Sequence, residues 1–196
     1  MEEKVKYFVH PSAICESVNI GSGTRIWAFV HILKNAMIGM ECNICDYCFI
    51  ENDVTIGNRV TIKNGISVWD GITIEDDVFL GPHCVLTNDL FPRSKVHHPE
   101  NIRTLFKHGA SIGANATIIC GITLGKYCMV GAGAVVTRSV PDFALVAGTP
   151  ARFKYWISKT GEKLNFDKEN FAVDSKGNKY KYSKGTEKNP EQVIEI

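Results

Sequence analysis

Ile38-Gly39-Met40-Glu41-Cys42-Asn43-Ile44-Cys45-Asp46-Tyr47-Cys48-Phe49-Ile50-Glu51-Asn52-Asp53-Val54-Thr55-Ile56 carries an isoleucine at every sixth position, and the spacing continues outward in both directions. It runs back through Ile32, Ile26 and Ile20 to Ile14, and on through Ile62, Val68, Ile74 and Leu80 to Leu86. Two residues before each aliphatic knob stands a small or β-branched residue: Ser12, Val18, Thr24, Val30, Ala36, Cys42, Cys48, Val54, Val60, Ile66, Ile72, Val78 and Cys84. A period of six fits neither the 3.6-residue period of a helix nor simple strand alternation. Each six-residue unit reads as one short strand and a corner, which can bury its knob only against copies stacked above and below. Three units close a triangular layer, so residues eighteen apart share a face one layer apart. The prediction is an all-β protein built as a parallel β-helix.

After Leu86 the register breaks over roughly residues 88 to 107, and it resumes with Ile112, Ile118, Leu124, Val130 and Val136, preceded by Ala110, Ala116, Ile122, Cys128 and Ala134. The count predicts six coils and, at about 4.8 Å per layer, a prism roughly 29 Å tall. A loop of that length inside a compact repeat points to function. Beyond Thr137, Pro141 and Pro150 deny the chain regular ladder positions and predict a cap. The expected organisation is a catalytic β-helix over residues 1–155, carrying the loop at 88–107, and an extension over 156–196. Phe171 to Tyr182, around Ser175-Lys176-Gly177-Asn178, reads as a β-hairpin in that extension.

Composition narrows the function classes. The chain has 196 residues, 44% apolar and 22% charged, and its 22 Lys plus Arg nearly balance 21 Asp plus Glu. That balance leaves no electrostatic footprint for nucleic acid or an anionic membrane. Neither a signal segment nor a long apolar run is present, so a cytoplasmic location without membrane insertion is expected. Seven cysteines raise the question of metal, and Cys42, Cys45 and Cys48 have superficially suggestive spacing. The register assigns Cys42, Cys48, Cys84 and Cys128 to the small inward slot and turns Cys45 away, so packing is expected and no metal.

Longer strings carry a resemblance: Arg25-Ile-Trp-Ala-Phe-Val-His31, Ile62-Lys-Asn-Gly-Ile-Ser-Val-Trp-Asp-Gly71, Glu75-Asp-Asp-Val-Phe-Leu-Gly-Pro82, Thr87-Asn-Asp-Leu-Phe-Pro-Arg-Ser94 and Gly109-Ala-Ser-Ile-Gly-Ala-Asn-Ala-Thr-Ile118. With the interrupted repeat over residues 9 to about 155, they resemble the left-handed β-helix acyltransferases, in particular the N-acetyltransferases of nucleotide-linked 3-amino sugars in bacterial surface-glycan synthesis. The resemblance implies a left-handed helix, a homotrimer with sites between prisms, and acetyl-CoA as cosubstrate. It implies acetylation of the 3-amino group of a dTDP-linked 3-amino-3,6-dideoxyhexose, as in O-antigen or related lipopolysaccharide synthesis. The alternative substrate is UDP-2-acetamido-3-amino-2,3-dideoxyglucuronate, to whose enzymes the Tyr155-to-Leu164 string is similar. A γ-type carbonic anhydrase and a non-catalytic scaffold are the remote rivals. The first needs three gathered histidines, and only His31 and His83 fall on the coils.

Acetyl transfer to an amine needs an oriented, unprotonated nitrogen and a destination for its proton. Asn88, opening the loop above the face line Leu33, Glu51, Trp69, Thr87, is the first candidate to orient the amine, and in the resembling family this Asn lies in the active site. Asp89 and His83 are candidates to take the proton, and the departing CoA thiolate is a third destination. Glu51, Asn64, Trp69 and Asp70 suit a sugar nucleotide, with Trp69 as an apolar plate and Arg93 as a bidentate pyrophosphate ligand. Ala114, Gly131, Ala132 and Gly133 would admit the pantetheine arm, while Lys126, Arg138 and Arg152 would meet the phosphates.

Overall fold

The computed structural model describes residues 7–96, 101–186 and 190–196. Residues 1–6 of the lead-in, and His97 and His98 of the loop, lie outside them. The repeat builds a triangular parallel β-helix of two- and three-residue strands. The first face stacks eight parallel strands, Phe8–Val9, Arg25–Ile26, Asn43–Ile44, Thr61–Ile62, Phe79–Leu80, Ser111–Ile112, Met129–Val130 and Ala144–Ala147, and an antiparallel ninth, Arg152–Trp156, closes it. The third face stacks Met37–Ile38, Thr55–Ile56, Ile72–Ile74, Thr104–Phe106 and Thr123–Leu124. Knob meets knob up the prism: Ile26, Ile44, Ile62, Leu80 and Ile112 are each 0% exposed and successive partners in register. Small slots fill the space between them, with Cys42, Cys48, Cys84 and Cys128 all buried as expected. Burial pushes the Cys48 thiol up to about 11 and those of Cys84 and Cys128 up to about 12, so each packs as a neutral group.

Four sequence expectations need correction. The prism has eight layers rather than six, because Val9 stacks on Ile26 below the repeat and Val146 on Val130 above it. The prolines therefore do not end the ladder. Pro141 falls at a corner, where its missing N–H costs no ladder bond, and the chain resumes parallel pairing at Leu145 on Met129. The interruption spans 87–103, not 88–107, because Phe106 takes the knob position between Ile74 and Leu124 and is 0% exposed. In the first coil the register slips by one: Cys15, not Ile14, stacks on Ile32, leaving Ile14 58% and Val18 84% exposed while Ser17 turns inward onto the Ala36 carbonyl.

The extension forms an antiparallel sheet of Phe171–Val173, Lys179–Ser183 and Gln192–Glu195. The expected hairpin is its first two strands. Tyr180, 0% exposed, points from this sheet toward the prism and meets Phe143 edge-on at 5.5 Å. No helix among the described residues is long and apolar enough to cross a membrane.

The second face is discontinuous. Its lower part stacks Ile14–Cys15, His31–Ile32, Phe49–Ile50 and Ser67–Val68; its upper part stacks Val85–Leu86, Thr117–Ile118 and Val135–Val136. Elsewhere the residue after a knob donates its backbone N–H to the knob above, as Glu51 does to Val68 and Lys63 to Leu80. At Trp69 the indole takes over: Nε1–H donates to the Leu86 carbonyl at 2.8 Å. The break lies between the fourth and fifth layers, directly below the inserted loop.

Candidate active site

The corner joining the second face to the third collects most of the polar candidates. Glu51 and Asp53 stand in the third layer, Trp69 and Asp70 in the fourth, the loop with Asn88, Asp89 and Arg93 in the fifth, and Arg138 in the seventh. Hydrogen bonds tie this column together. The Asp70 N–H donates to Glu51 Oε2 at 2.7 Å, and the Asp53 N–H donates to Asp70 Oδ1 at 2.6 Å. Glu51 and Asp70 thus each commit a carboxylate oxygen to the backbone, a use their sequence context did not reveal. Trp69 lies edge-on to Phe49 with ring centroids 5.9 Å apart.

The loop begins at Thr87, whose Oγ1 accepts the Cys120 N–H at 2.9 Å. Asn88 follows, half-buried, and among the described residues its side chain makes no hydrogen bond. Asp89 Oδ1 accepts the Phe91 N–H at 2.8 Å, and Arg93 Nη1 donates to the Pro92 carbonyl at 2.9 Å. The exit is held from two layers below, where Asp53 accepts hydrogen bonds from Asn101 Nδ2 at 3.0 Å and Arg103 Nη1 at 3.1 Å. Those bonds hold the Asp53 carboxyl below its ordinary range, Asn101 contributing most. Gly71 makes room for this crossing: it has φ +89°, and a Cβ there would sit 2.8 Å from the Ile102 carbonyl oxygen. Asp53, Asn101 and Arg103 escaped the sequence reading because their meeting spans 48 and 50 residues across an insertion of undefined ends.

The remaining candidates lie elsewhere. Asn64, His83, Ala114 and Gly131-Ala132-Gly133 form a second column, on the corner between the first and second faces, in layers four to seven. His83 is exposed, with φ 57°, and its ring leans over Gly65, where a Cβ would lie 2.5 Å from Nδ1. Gly133 opens onto empty space. His83 and Asn88 flank one face, separated by five residues, or roughly 16 Å of extended chain. One copy therefore does not bring the two columns together. Lys126 lies apart, exposed on the third corner, its N–H donating to Asp142 Oδ1. Arg138 and Arg152 do converge: with Thr137, Ser139 and Phe153 they line one cleft at the top of the prism. Two cations, hydroxyls and an exposed ring suit the phosphates and adenine of coenzyme A.

Among the described residues no group of three or more His, Cys, Asp or Glu is placed to hold a metal ion. His31 bonds Glu16 at 2.8 Å and His108 bonds the Tyr127 hydroxyl at 2.9 Å, and neither joins His83 in such a group.

Residues 106–138 match the family model described as bacterial transferase hexapeptide (six repeats). The fold has solved counterparts. AntD, an N-acyltransferase from Bacillus cereus in complex with dTDP and coenzyme A, superposes with TM-score 0.60 at 19% identity over 76% of this chain and 85% of its own. A variant of perosamine N-acetyltransferase from Caulobacter crescentus, in complex with CoA and GDP-perosamine, gives TM-score 0.51 at 27% identity over 76% of this chain and 56% of its own. Repeat and prism together define the class, a left-handed β-helix transferase of the hexapeptide type. Over 179 residues the chain is 60% identical to the dTDP-3-amino-3,6-dideoxy-α-D-galactopyranose 3-N-acetyltransferase of Aneurinibacillus thermoaerophilus, covering 91% of this chain and 92% of the relative. The chain belongs to that family of hexapeptide-repeat N-acetyltransferases, the one its sequence resembles.

Proposed function

We propose that this protein transfers the acetyl group of acetyl-CoA to the 3-amino group of dTDP-3-amino-3,6-dideoxy-α-D-galactopyranose, in the cytoplasm, for surface glycans such as O-antigen. The observation that carries the reading is the 60% identity to an enzyme of that name across nearly the whole of both chains. It favours the dTDP sugar over the UDP-linked glucuronate, and the galacto configuration that the sequence left open.

Acetyl-CoA supplies the activated acyl group, and the cleft of Arg138 and Arg152 fits its phosphates. The chain's own residues do the rest. Asn88, its amide uncommitted, accepts a hydrogen bond from the amine and aims the nitrogen lone pair at the acyl carbon. Asp89 and His83 remain the side-chain candidates for the amine proton, with the departing sulfur as the third destination. Arg93 suits the pyrophosphate, and Glu51, Asn64, Trp69 and Asp70 border the sugar. Ala114, Gly131, Ala132 and Gly133 let the pantetheine arm approach the backbone, and Lys126 supplies an outlying cation.

One copy keeps the two columns apart, and their meeting would require a boundary between copies, as in a homotrimer. The second face and its flanking corner support that assembly, since Trp27, Phe29, Tyr47 and Val85 are 37%, 56%, 66% and 51% exposed. The reading is tested by thiol release from acetyl-CoA against dTDP- and UDP-linked 3-amino and 4-amino sugars. The dTDP-3-amino sugar is expected to give the highest kcat/KM. Preference for the UDP-linked glucuronate would replace the substrate, and no release with any amino sugar would remove the activity.

A further inference from the structure

The inserted loop enters and leaves the prism at one corner; at the entry a side chain takes over the tie to the layer below, and at the exit, where the Thr104 N–H keeps its backbone bond to the Gly71 carbonyl, side chains add to it. At the entry the ladder is broken and Trp69 Nε1–H holds the Leu86 carbonyl, one residue before Thr87 and two before Asn88. At the exit Asp53 grips Asn101 and Arg103, with the Arg103 Nη1 to Asp53 Oδ2 approach at 2.9 Å. Gly71 leaves space beneath the crossing, and Ile102 spans from Gly71 to Gly121, where a Cβ would meet its Cγ2 at 3.2 Å. A continuous ladder would have tied Leu86 by a bond common to every coil. The indole N–H replaces the tie to the layer below, while the Val85 and Thr87 N–H groups keep their bonds to the Ala116 and Ile118 carbonyls in the layer above.

We propose that Trp69 and Asp53 are positioning residues: Trp69 seats the entry and Asp53 the exit of the 87–103 loop, and together they fix where Asn88 is presented. Trp69 thereby acts through the Leu86 carbonyl, a duty separate from the apolar plate its ring offers the sugar. This rests on the proposed acetyl transfer, with Asn88 at the amine, for its kinetic consequence. The seating itself does not.

The test uses the full-length protein with Asp53→Ala, Trp69→Phe, Arg103→Asp and the charge-reversed pair Asp53→Arg with Arg103→Asp. Trp69→Phe keeps a ring against Phe49 and removes only the N–H. Two measurements are made on each, hydrogen exchange of residues 86–96 and 101–106, and steady-state kinetics with acetyl-CoA and the dTDP-3-amino sugar. Each single variant is expected to speed exchange in these segments by about three- to tenfold, the scale of a partly exposed charge-assisted contact or one hydrogen bond. Exchange at Ile26, Ile44 and Ile62 should stay unchanged. The kcat should fall by a similar factor with the KM for acetyl-CoA unaltered, and the reversed pair should regain most of the loss seen in Arg103→Asp. A merely structural role predicts instead a lowered Tm and faster exchange through the prism. Unchanged exchange in both segments for Asp53→Ala and Trp69→Phe overturns the proposal. Faster exchange in a protein that acetylates no amino sugar leaves the seating standing and removes the proposed function.

Discussion

Asn88 and Glu51 lie on one corner and use their polar atoms differently: Glu51 gives an oxygen to the Asp70 N–H, while the Asn88 amide has no partner among the described residues. An amide left uncommitted at the mouth of a loop is placed to meet a ligand. Asn88→Ala is expected to lower kcat by about a hundredfold, the scale of a lost orienting contact at a reacting atom, with CoA affinity within about twofold. Stopped-turnover assays and calorimetry separate the two, and unchanged turnover would remove Asn88 from the mechanism. The cysteines make a second point at this scale. Cys42, Cys48, Cys84, Cys120 and Cys128 are buried, and only Cys15 and Cys45 are partly exposed. Native protein at pH 8 should therefore leave the five buried cysteines unlabelled by maleimide, whereas denatured protein reacts at all seven. The inward cysteines were legible because the six-residue register fixes which side chains face the axis. The duties of Glu51, Asp70 and Asp53 were not, since a corner carboxylate bonds its neighbour's backbone or a ligand according to distances that the register does not set.

At the scale of the element, the stack separates true knobs from apparent ones. Ile62 lies between Ile44 and Leu80 and is fully buried, whereas Ile14 satisfies the same spacing and faces outward. Ile62→Ala should cost about 2–5 kcal/mol in urea unfolding and Ile14→Ala well under 1. Equal losses would contradict the slipped register of the first coil. The slip was invisible because Ile14 and Cys15 are both apolar, and spacing alone preferred the wrong one. Phe106 hid the return of the repeat for a related reason, being an aromatic knob in an aliphatic series. The third corner carries a further prediction. Asp76 is held below its usual range first by the Asn58 N–H, and Asp77 first by the Arg59 guanidinium at 2.7 Å. Carboxyls depressed on folding add stability that is full above about pH 4 and lost as pH falls through their folded values. Arg59→Ala should accordingly move the midpoint of acid unfolding to higher pH, and an unmoved midpoint would mean the pair contributes nothing.

For the whole molecule, the separation of the Asn88 column from the glycine column is the decisive feature. If the two meet between copies, a mixed assembly of Asn88→Ala and Gly133→Trp chains should regain activity that neither homogeneous protein has. Failure to regain any, in mixtures shown to exchange subunits, would place the site within one copy. The prism, its interruption and the family were legible in the repeat and the longer strings, because a solenoid writes its core at fixed intervals. Which candidates share a corner was not, because it depends on the end points of the insertion. The claim that unites these scales is acetylation at the sugar C3 nitrogen. Its most direct test is the NMR spectrum of the product formed from acetyl-CoA and dTDP-3-amino-3,6-dideoxygalactose. An amide proton coupled to H3, with the acetyl carbonyl correlated to it, is the predicted result. An O-acetyl ester, or unchanged sugar with acetyl-CoA intact, would contradict the account.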